Sequence, residues 1–259
     1  MSTCVNNFKF NGLKSESFGY DHAYVRPFGG EGAPFYFAPA RFRQMLDHLL
    51  EQKEVVKDKP AVSQMVHRWP ALFTDSQIFQ EFIRVVGKSL KDNFFDALDS
   101  FSPGLMDLFR KKRGLTSQLL APLLCQTKTT EPTDVRCLCI RGLPVILGDD
   151  PSAFFKTSFD PVDKDLYSQT AVGILCIDEE NSQMNPARVG IILEGNMVMD
   201  DLANLPQAFC VPFGLIYALH LEYHEYMKNT FFFVQQVMLD LGKSELAPKI
   251  QTLKNQLSM

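Results

Sequence analysis

Long apolar runs, Cys-x-x-Cys motifs and a secretory signal are all missing from the sequence, and each absence argues against a class of protein. The longest apolar stretch, 205–221, is broken by Pro206 and Pro212, whereas a bilayer-spanning helix needs about 20 uninterrupted apolar residues. The six cysteines form no Cys-x-x-Cys pair, and residues 1–7 show no basic segment followed by an apolar run. We therefore predict free, buried thiols in a reducing compartment, a cytoplasmic or nuclear location, and no membrane partner.

Polar aromatic residues are also scarce, with one tryptophan and seven tyrosines against 22 phenylalanines. Because a phenylalanine ring has no polar tip to satisfy, these rings predict a large apolar core or an adhesive surface. The hydrophobic fraction of 46% and the charged fraction of 22% are typical of a packed globule. The net charge of −4 is unlike that of a general nucleic-acid binder, so nucleic acid is a disfavoured but open partner.

One strongly basic segment stands out within this acidic chain. The basic run consists of Arg110, Lys111, Lys112 and Arg113 and is followed by Gly114. Cations at a helix end followed by glycine fit the helix dipole and the glycine C-cap, so a solvated helix end is the favoured interpretation. A nucleic-acid patch is the alternative.

No complete nucleotide-binding or metal-binding motif is present. The Gly-Lys-Ser triplets at 87–89 and 242–244 lack the glycine that a P-loop places five positions earlier. His220 and His224 do not spell His-Glu-x-x-His, and a helix junction near His224 would separate them. The Cys-x-Cys pair at 137–139 has no further ligands at metal-site spacing. We therefore predict no cofactor, no structural zinc and no disulfide.

An acidic region could instead hold an unfamiliar catalytic site. Its carboxylates do not have the spacing of a calcium loop, and the first pair also suits a helix cap. A catalytic alternative would use Asp149, Asp150 and Glu194. The remaining acidic residues of the region are Asp160, Asp163 and Asp165.

Apolar residues recur at three- and four-residue intervals through most of the chain, which predicts a mainly helical protein. Residues 134–147 fit a helix, which we favour, or two strands around Arg141 and Gly142. The predicted helices are 40–56, 60–69, 75–86 with Thr74 or Asp75 as cap, 94–101 closed by Ser102-Pro103-Gly104, 105–113, 134–147, one opened by Asp150-Pro151, 207–219 and 225–241.

Continuous β-branched sequence predicts strands at 172–177 and 188–193, with a third at 197–199. The predicted fold class is therefore α+β, mainly helical, with a small antiparallel sheet around 170–200 packed by the C-terminal helices. We expect an irregular arm over 1–38 and one globular domain over 39–259. Its helical half is 39–165, and the sheet with its helices occupies 166–259.

The 225–241 helix has a candidate core or interaction seam, whose members step by four, three, four and three residues. We expect this seam to pack on the 207–219 helix, because the intervening link is short. Its members are Met227, Phe231, Val234, Met238 and Leu241.

Several segments together carry a resemblance to a known family: 67–73, 81–85, 98–99, 108–114, 188–195, 213–219 and 228–235. They resemble the C-terminal region of fish proteins labelled sterile-alpha-motif-domain-containing protein 3-like, over about residues 60–241. The resemblance implies a shared C-terminal fold and brings no catalytic residue. Residues 1–58 do not resemble the sterile alpha motif itself, so its interaction function is not implied.

These observations favour a non-enzymatic protein-interaction or adaptor protein whose partner is another protein or a second copy of the chain. Two alternatives remain open. In the first, the chain is a nucleic-acid-associated protein of mobile-element origin that binds through the basic run. In the second, the chain is an enzyme whose unrecognised site uses the carboxylates.

Overall fold

The computed structural model describes residues 61–68, 70–128, 130–159, 164–177, 184–186, 188–218, 221–242 and 245–258. The chain divides into two compact units, Met1–Leu72 and Phe73–Met259. In the first unit, helix α1 spans Val62–Arg68, as the sequence predicts. The predicted arm over 1–38 and helix over 40–56 lie outside the described residues. The prediction of one domain over 39–259 stays a prediction.

The second unit is mainly helical, which confirms the predicted fold class. Local sequence sets several boundaries: Gly87 ends one helix with φ 75°, and the side chain of Ser89 caps the next by accepting from the Asp92 N–H. The helices are α2 (Asp75–Val86), α3 (Leu90–Lys111), α4 (Gly114–Gln126), α5 (Pro132–Leu147), α6 (Pro151–Phe154), α7 (Leu205–Ala218), α8 (Lys228–Phe233) and α9 (Pro248–Leu257).

The prediction of two helices separated by Ser102-Pro103-Gly104 is wrong, because α3 is continuous through Pro103. A buried row at four- and three-residue spacing, Leu98, Ser102, Leu105 and Phe109, passes the proline without interruption. The Ser102 hydroxyl donates to the Leu98 carbonyl at 2.7 Å. Burial of this row, at about 1.5–3 kcal/mol for a large apolar side chain, offsets the cost of the missing proline N–H.

Four strands form one sheet in the order β1 (Phe155–Ser158), β2 (Val172–Ile177), β3 (Arg188–Leu193) and β4 (Asn196–Leu202). The three predicted strands are confirmed, and they pair antiparallel. The sheet as a whole is mixed rather than antiparallel, because β1 adds to β2 in parallel. β1 is four residues long and follows α6 directly, so it shows no periodicity that could predict it.

The turn between β3 and β4 consists of Glu194 and Gly195, which have φ values of 48° and 71°. Two positive φ values in a two-residue loop are the geometry of a type I′ hairpin. A Cβ at position 195 would overlap the carbonyl oxygen of Ser168, so this position requires glycine for space as well as for φ.

The core is built around α7, and phenylalanine rings from four other helices meet it. Phe209 of α7 stacks on Phe231 of α8 with ring centroids 5.7 Å apart and an interplanar angle of 9°. Phe94 of α3 and Phe154 of α6 contact the same ring at 5.8 and 6.0 Å. On the next turn of α7, Phe213 lies 6.0 Å from Phe82 of α2. Most rings of this cluster are phenylalanines, which need no hydrogen-bond partner, and the half-buried Tyr217 and Tyr223 join them.

The C-terminal segment is helical from Glu225 to Met238 but is not one α-helix. It begins as a 3₁₀ turn (Glu225–Met227), continues as α8 and ends as a π-helix (Val234–Met238). Met227, Phe231, Val234 and Met238 are buried. Leu241 lies beyond the helix end and is only half-buried, so the predicted seam is one residue too long.

Candidate functional site

Helix α4 has no charged residue, a property that it shares, among the long helices of the described chain, with the buried helix α7. Its sequence, GLTSQLLAPLLCQ, contains one buried side chain, Leu120. Leu115 and Leu119 are 78% and 63% exposed. An apolar helix is normally buried on most of its circumference, so this one lacks a covering partner within the described chain.

Leu120 attaches α4 to the body of the unit by packing into a notch at Gly142 of α5. A Cβ at position 142 would lie 2.6 Å from the Phe109 ring and 3.3 Å from a Leu120 methyl. The absence of a side chain at position 142 therefore lets α3 and α4 both approach α5. The opposite side of α4 is turned outward.

The outward side is continuous, because its apolar members recur at helical spacing. Leu115, Leu119 and Pro122 are at i, i+4 and i+7 and lie in one row. Pro122 has no N–H to donate to the Gln118 carbonyl, so a hydrogen-bond acceptor lies within the row. We call this surface the α4 face; its exposed members are Leu115, Gln118, Leu119, Ala121, Pro122 and Cys125.

The basic run borders the α4 face. Helix α3 ends at Lys111, and Gly114 begins α4 instead of capping α3, which corrects the predicted glycine stop. Arg110 and Lys111 share one carboxylate, that of Asp107, at 3.9 and 3.7 Å. Their side chains are 54% and 76% exposed, so these ion pairs are weak. From residue 108 to 130 the sequence has five cations and no carboxylate.

The candidate catalytic carboxylates occupy capping positions. Asp149 accepts hydrogen bonds at 2.7 Å from the N–H and the hydroxyl of Thr230, and at 2.8 Å from the Asn229 side chain. It therefore caps the N-terminus of α8 from 80 residues away in the sequence. Asp150 caps α6, as predicted, and its hydrogen bonds from Ser152 hold its carboxyl pKa below the usual value.

The other described members of the acidic region lie in turns. Glu194 lies in the β3–β4 turn, and Asp165 is exposed in the 3₁₀ turn Lys164–Leu166. Asp160 and Asp163 lie outside the described residues. A groove of about 530 Å³ beside α3 contains Asp99, but this carboxylate is bound by Arg136 at 2.6 and 2.7 Å.

Three of the described cysteines are held as thiols by burial, which disfavours the reactive thiolate. Burial raises the pKa of Cys137 to about 12 and that of Cys139 to about 11, although the Ser102 hydroxyl opposes the second shift. Burial also raises the pKa of Cys210. Cys125, on the α4 face, is a free and exposed thiol. Among the described residues, no group of three or more acidic, histidine or cysteine side chains could hold a metal ion.

Of the candidate histidine pair, His224 lies at the predicted helix junction, where it directly precedes the 3₁₀ turn Glu225–Met227. His220 lies outside the described residues. His224 stacks on Tyr226 at 3.9 Å, and its Nδ1 is buried without a hydrogen-bond partner among the described atoms.

The first Gly-Lys-Ser triplet is structural. Gly87 ends α2, Ser89 caps α3, and Lys88 donates to the carbonyls of Leu239 and Asp240 at 3.3 and 3.5 Å. This exposed lysine therefore binds carbonyls next to the C-terminal end of the π-helix. In the second triplet, Lys243 and Ser244 lie outside the described residues.

Comparisons of the chain with protein-family models, with curated proteins and with solved structures found no match. None of the helices that the structure describes has the length and apolar character needed to cross a membrane.

Proposed function

We propose that this chain is a non-enzymatic protein-interaction protein that binds another protein at the α4 face. The observation that carries the proposal is an uncharged helix with Leu115 and Leu119 largely exposed, whose one fully buried side chain is Leu120. Contiguous exposed apolar surface on a folded protein marks an interaction site. Covering each leucine would contribute up to about 1.5–3 kcal/mol to binding.

The chemistry of α4 favours protein over nucleic acid. Surfaces that bind single strands stack bases on aromatic rings, and duplex binders line a groove with basic side chains. α4 contains neither aromatic nor basic residues. The basic run at its edge supports the nucleic-acid alternative only at one end of the surface.

A membrane surface is a poorer fit for the same reason. Helices that lie in a lipid interface carry lysine or arginine along their polar face. The half-buried Thr116 and Ser117 of α4 carry no charge, and Leu120 holds the helix against α5.

The enzyme alternative is less well supported, because two of its three carboxylates, Asp149 and Asp150, cap helices. The resemblance of residues 60–241 to sterile-alpha-motif-domain-containing protein 3-like proteins is part of the proposal, and it brings no catalytic residue. Buried thiols support a reducing compartment, so we propose the cytoplasm or the nucleus.

Site-specific photo-crosslinking in cells that express the full chain tests the proposal. A benzophenone amino acid would replace Leu119 in one version and Phe159 in the other, because both side chains are 63% exposed and only Leu119 belongs to the α4 face. We expect a discrete protein adduct at position 119 and none at 159. Adducts to RNA or lipid, identical adducts at both positions, or none at 119 would refute the proposal.

A further inference from the structure

Resting on the proposed function, we infer that the occupant of the α4 face is an amphipathic helix of a partner protein, with acidic residues at one end. The α4 face has a straight apolar row at i, i+4 and i+7, which spans about 10 Å of a helix about 20 Å long. A straight row of this kind is complementary to the apolar stripe of another helix. The shape of the α4 face therefore indicates that the partner covers it with a helix.

The cations around α4 indicate that the partner helix is negatively charged at one end. Five cations and no carboxylate lie between residues 108 and 130, in a chain whose net charge is −4. Asp107 is the one described carboxylate within 4.0 Å of Arg110 and Lys111. Carboxylates on a docking helix would lie beside these cations and speed its association, whereas lysines there would be repelled.

The same charges disfavour a second copy of this chain. If two α4 helices packed parallel, the basic run of one copy would face the basic run of the other. If they packed antiparallel, Arg113 of one copy would lie near Lys128 of the other, because these residues flank the two ends of the helix. Both symmetric arrangements place like charges together, and an acidic partner helix does not.

The polar members of the row add a further condition. Gln118 lies between Leu115 and Leu119 on the exposed side, and Pro122 leaves the Gln118 carbonyl without its usual helical donor. A partner helix with a small polar donor in the middle of its apolar stripe would bind this carbonyl. We therefore expect asparagine, glutamine or serine there.

Selection from a phage-displayed library of single helices, randomised on one side and panned on the full chain, tests the inference. We expect enriched helices to have apolar residues at i, i+4 and i+7 and an excess of aspartate and glutamate at one end. Their affinity should fall at least about tenfold for Leu119→Glu. It should fall about three- to tenfold for Arg110→Glu with Lys111→Glu, and also with added salt.

Two control variants separate binding from folding. Phe159→Glu changes an equally exposed apolar side chain outside the α4 face, and Lys254→Glu reverses an exposed cation on α9. Both should leave the affinity of the enriched helices unchanged. The melting temperature of every variant should stay close to that of the wild type, because all these side chains are exposed.

The remaining outcomes distinguish the inference from the proposed function. Enriched helices that are neutral or basic, or no enriched helix at all, would overturn the inference. The proposed function would then still be tested by the photo-crosslinking experiment at position 119. A dimer detected by light scattering and lost in Leu119→Glu would replace the acidic helix with a second copy. Binding to phosphatidylserine vesicles that Leu119→Glu abolishes would overturn both.

Discussion

Asp149 shows how much one side chain contributes when it joins distant parts of the chain. Its carboxylate accepts three hydrogen bonds of 2.7–2.8 Å from Asn229 and Thr230, and Thr230 is fully buried. Removing the carboxylate would leave a buried hydroxyl and a helix N–H without a partner.

Asp149→Ala should therefore lower the free energy of unfolding by about 1–3 kcal/mol. Asp149→Asn, which keeps one acceptor oxygen, should lose less. Urea unfolding measures both, with the exposed Asp165→Ala as the control that should change little. A stability of Asp149→Ala equal to that of the wild type would contradict this account of the cap.

His224 makes a second residue-scale prediction. Burial lowers its pKa from the ordinary value of 6.5, and the neighbouring Glu225 only partly opposes the shift. The unfolded chain then binds a proton more readily than the folded chain, so the contribution of neutral His224 is present above about pH 6.5 and is lost as the pH falls.

His224→Gln should consequently flatten the decline in stability between about pH 7 and pH 5. Urea unfolding at several pH values gives the two profiles. His67→Gln, at an exposed histidine, is the control that should leave the profile unchanged. Parallel profiles for wild type and His224→Gln would show that burial of this ring has no effect on acid stability.

At the scale of residues, a role that depends on neighbouring sequence could be predicted, and a role that depends on distant residues could not. Asp150 could be assigned as a cap because Pro151 follows it immediately. The role of Asp149 could not, because its partners are Asn229 and Thr230. The α4 helix has a signal in the sequence, an uncharged stretch of 13 residues, but the buried helix α7 has the same signal, so exposure could not be predicted from it.

At the scale of elements, helix α3 shows packing overriding a local breaker. Pro103 is exposed in the middle of a 22-residue helix and cannot donate to the Asp99 carbonyl. The apolar row on the opposite side keeps the helix in place.

Pro103→Ala should therefore raise the free energy of unfolding, by up to about 3 kcal/mol. Thermal unfolding would report a higher melting temperature. Ala97→Gly, elsewhere in α3, is the opposing control and should lower it by about 1 kcal/mol. A lower melting temperature for Pro103→Ala would mean that the packing of α3 depends on the local distortion caused by proline.

The C-terminal segment makes the second element-scale prediction. Phe231 is 1% exposed and lies between Phe209, at 5.7 Å, and Tyr223, at 5.2 Å. Phe231→Ala should cost about 3–5 kcal/mol through lost burial and a cavity. Phe232→Ala, at the half-buried neighbouring ring, should cost clearly less, and equal losses in urea unfolding would contradict the assigned burial.

Elements with strong periodicity or continuous β-branched sequence were predictable, including β2 and β3 at their observed bounds. β1 was not, because four residues in parallel pairing have no sequence period. α9 was missed although Pro248 at its start and buried Ile250 and Leu253 gave a usable signal. The π-helix Val234–Met238 has no local sequence pattern that could predict it.

At the scale of the whole molecule, the surface is acidic in sum but contains a cationic and apolar region at α4. If that region is surface and not core, polar substitutions there should be harmless to folding. Leu115→Glu with Leu119→Glu should change the free energy of unfolding by no more than about 1 kcal/mol.

The same double variant should remain monodisperse at higher concentration than the wild type, because less apolar surface is exposed. Light scattering over a concentration series measures this property. A large loss of stability in the double variant would show that α4 is covered by another part of the chain.

The ring cluster also has a consequence for synthesis on the ribosome. Phe82 and Phe94 emerge early, but the α7 rings that cover them are more than a hundred residues later in the sequence. At about 5–20 residues per second, α2 and α3 therefore wait several seconds with apolar faces uncovered. We expect the nascent chain to engage holding chaperones during that interval, and to release them only after α7 has left the exit tunnel.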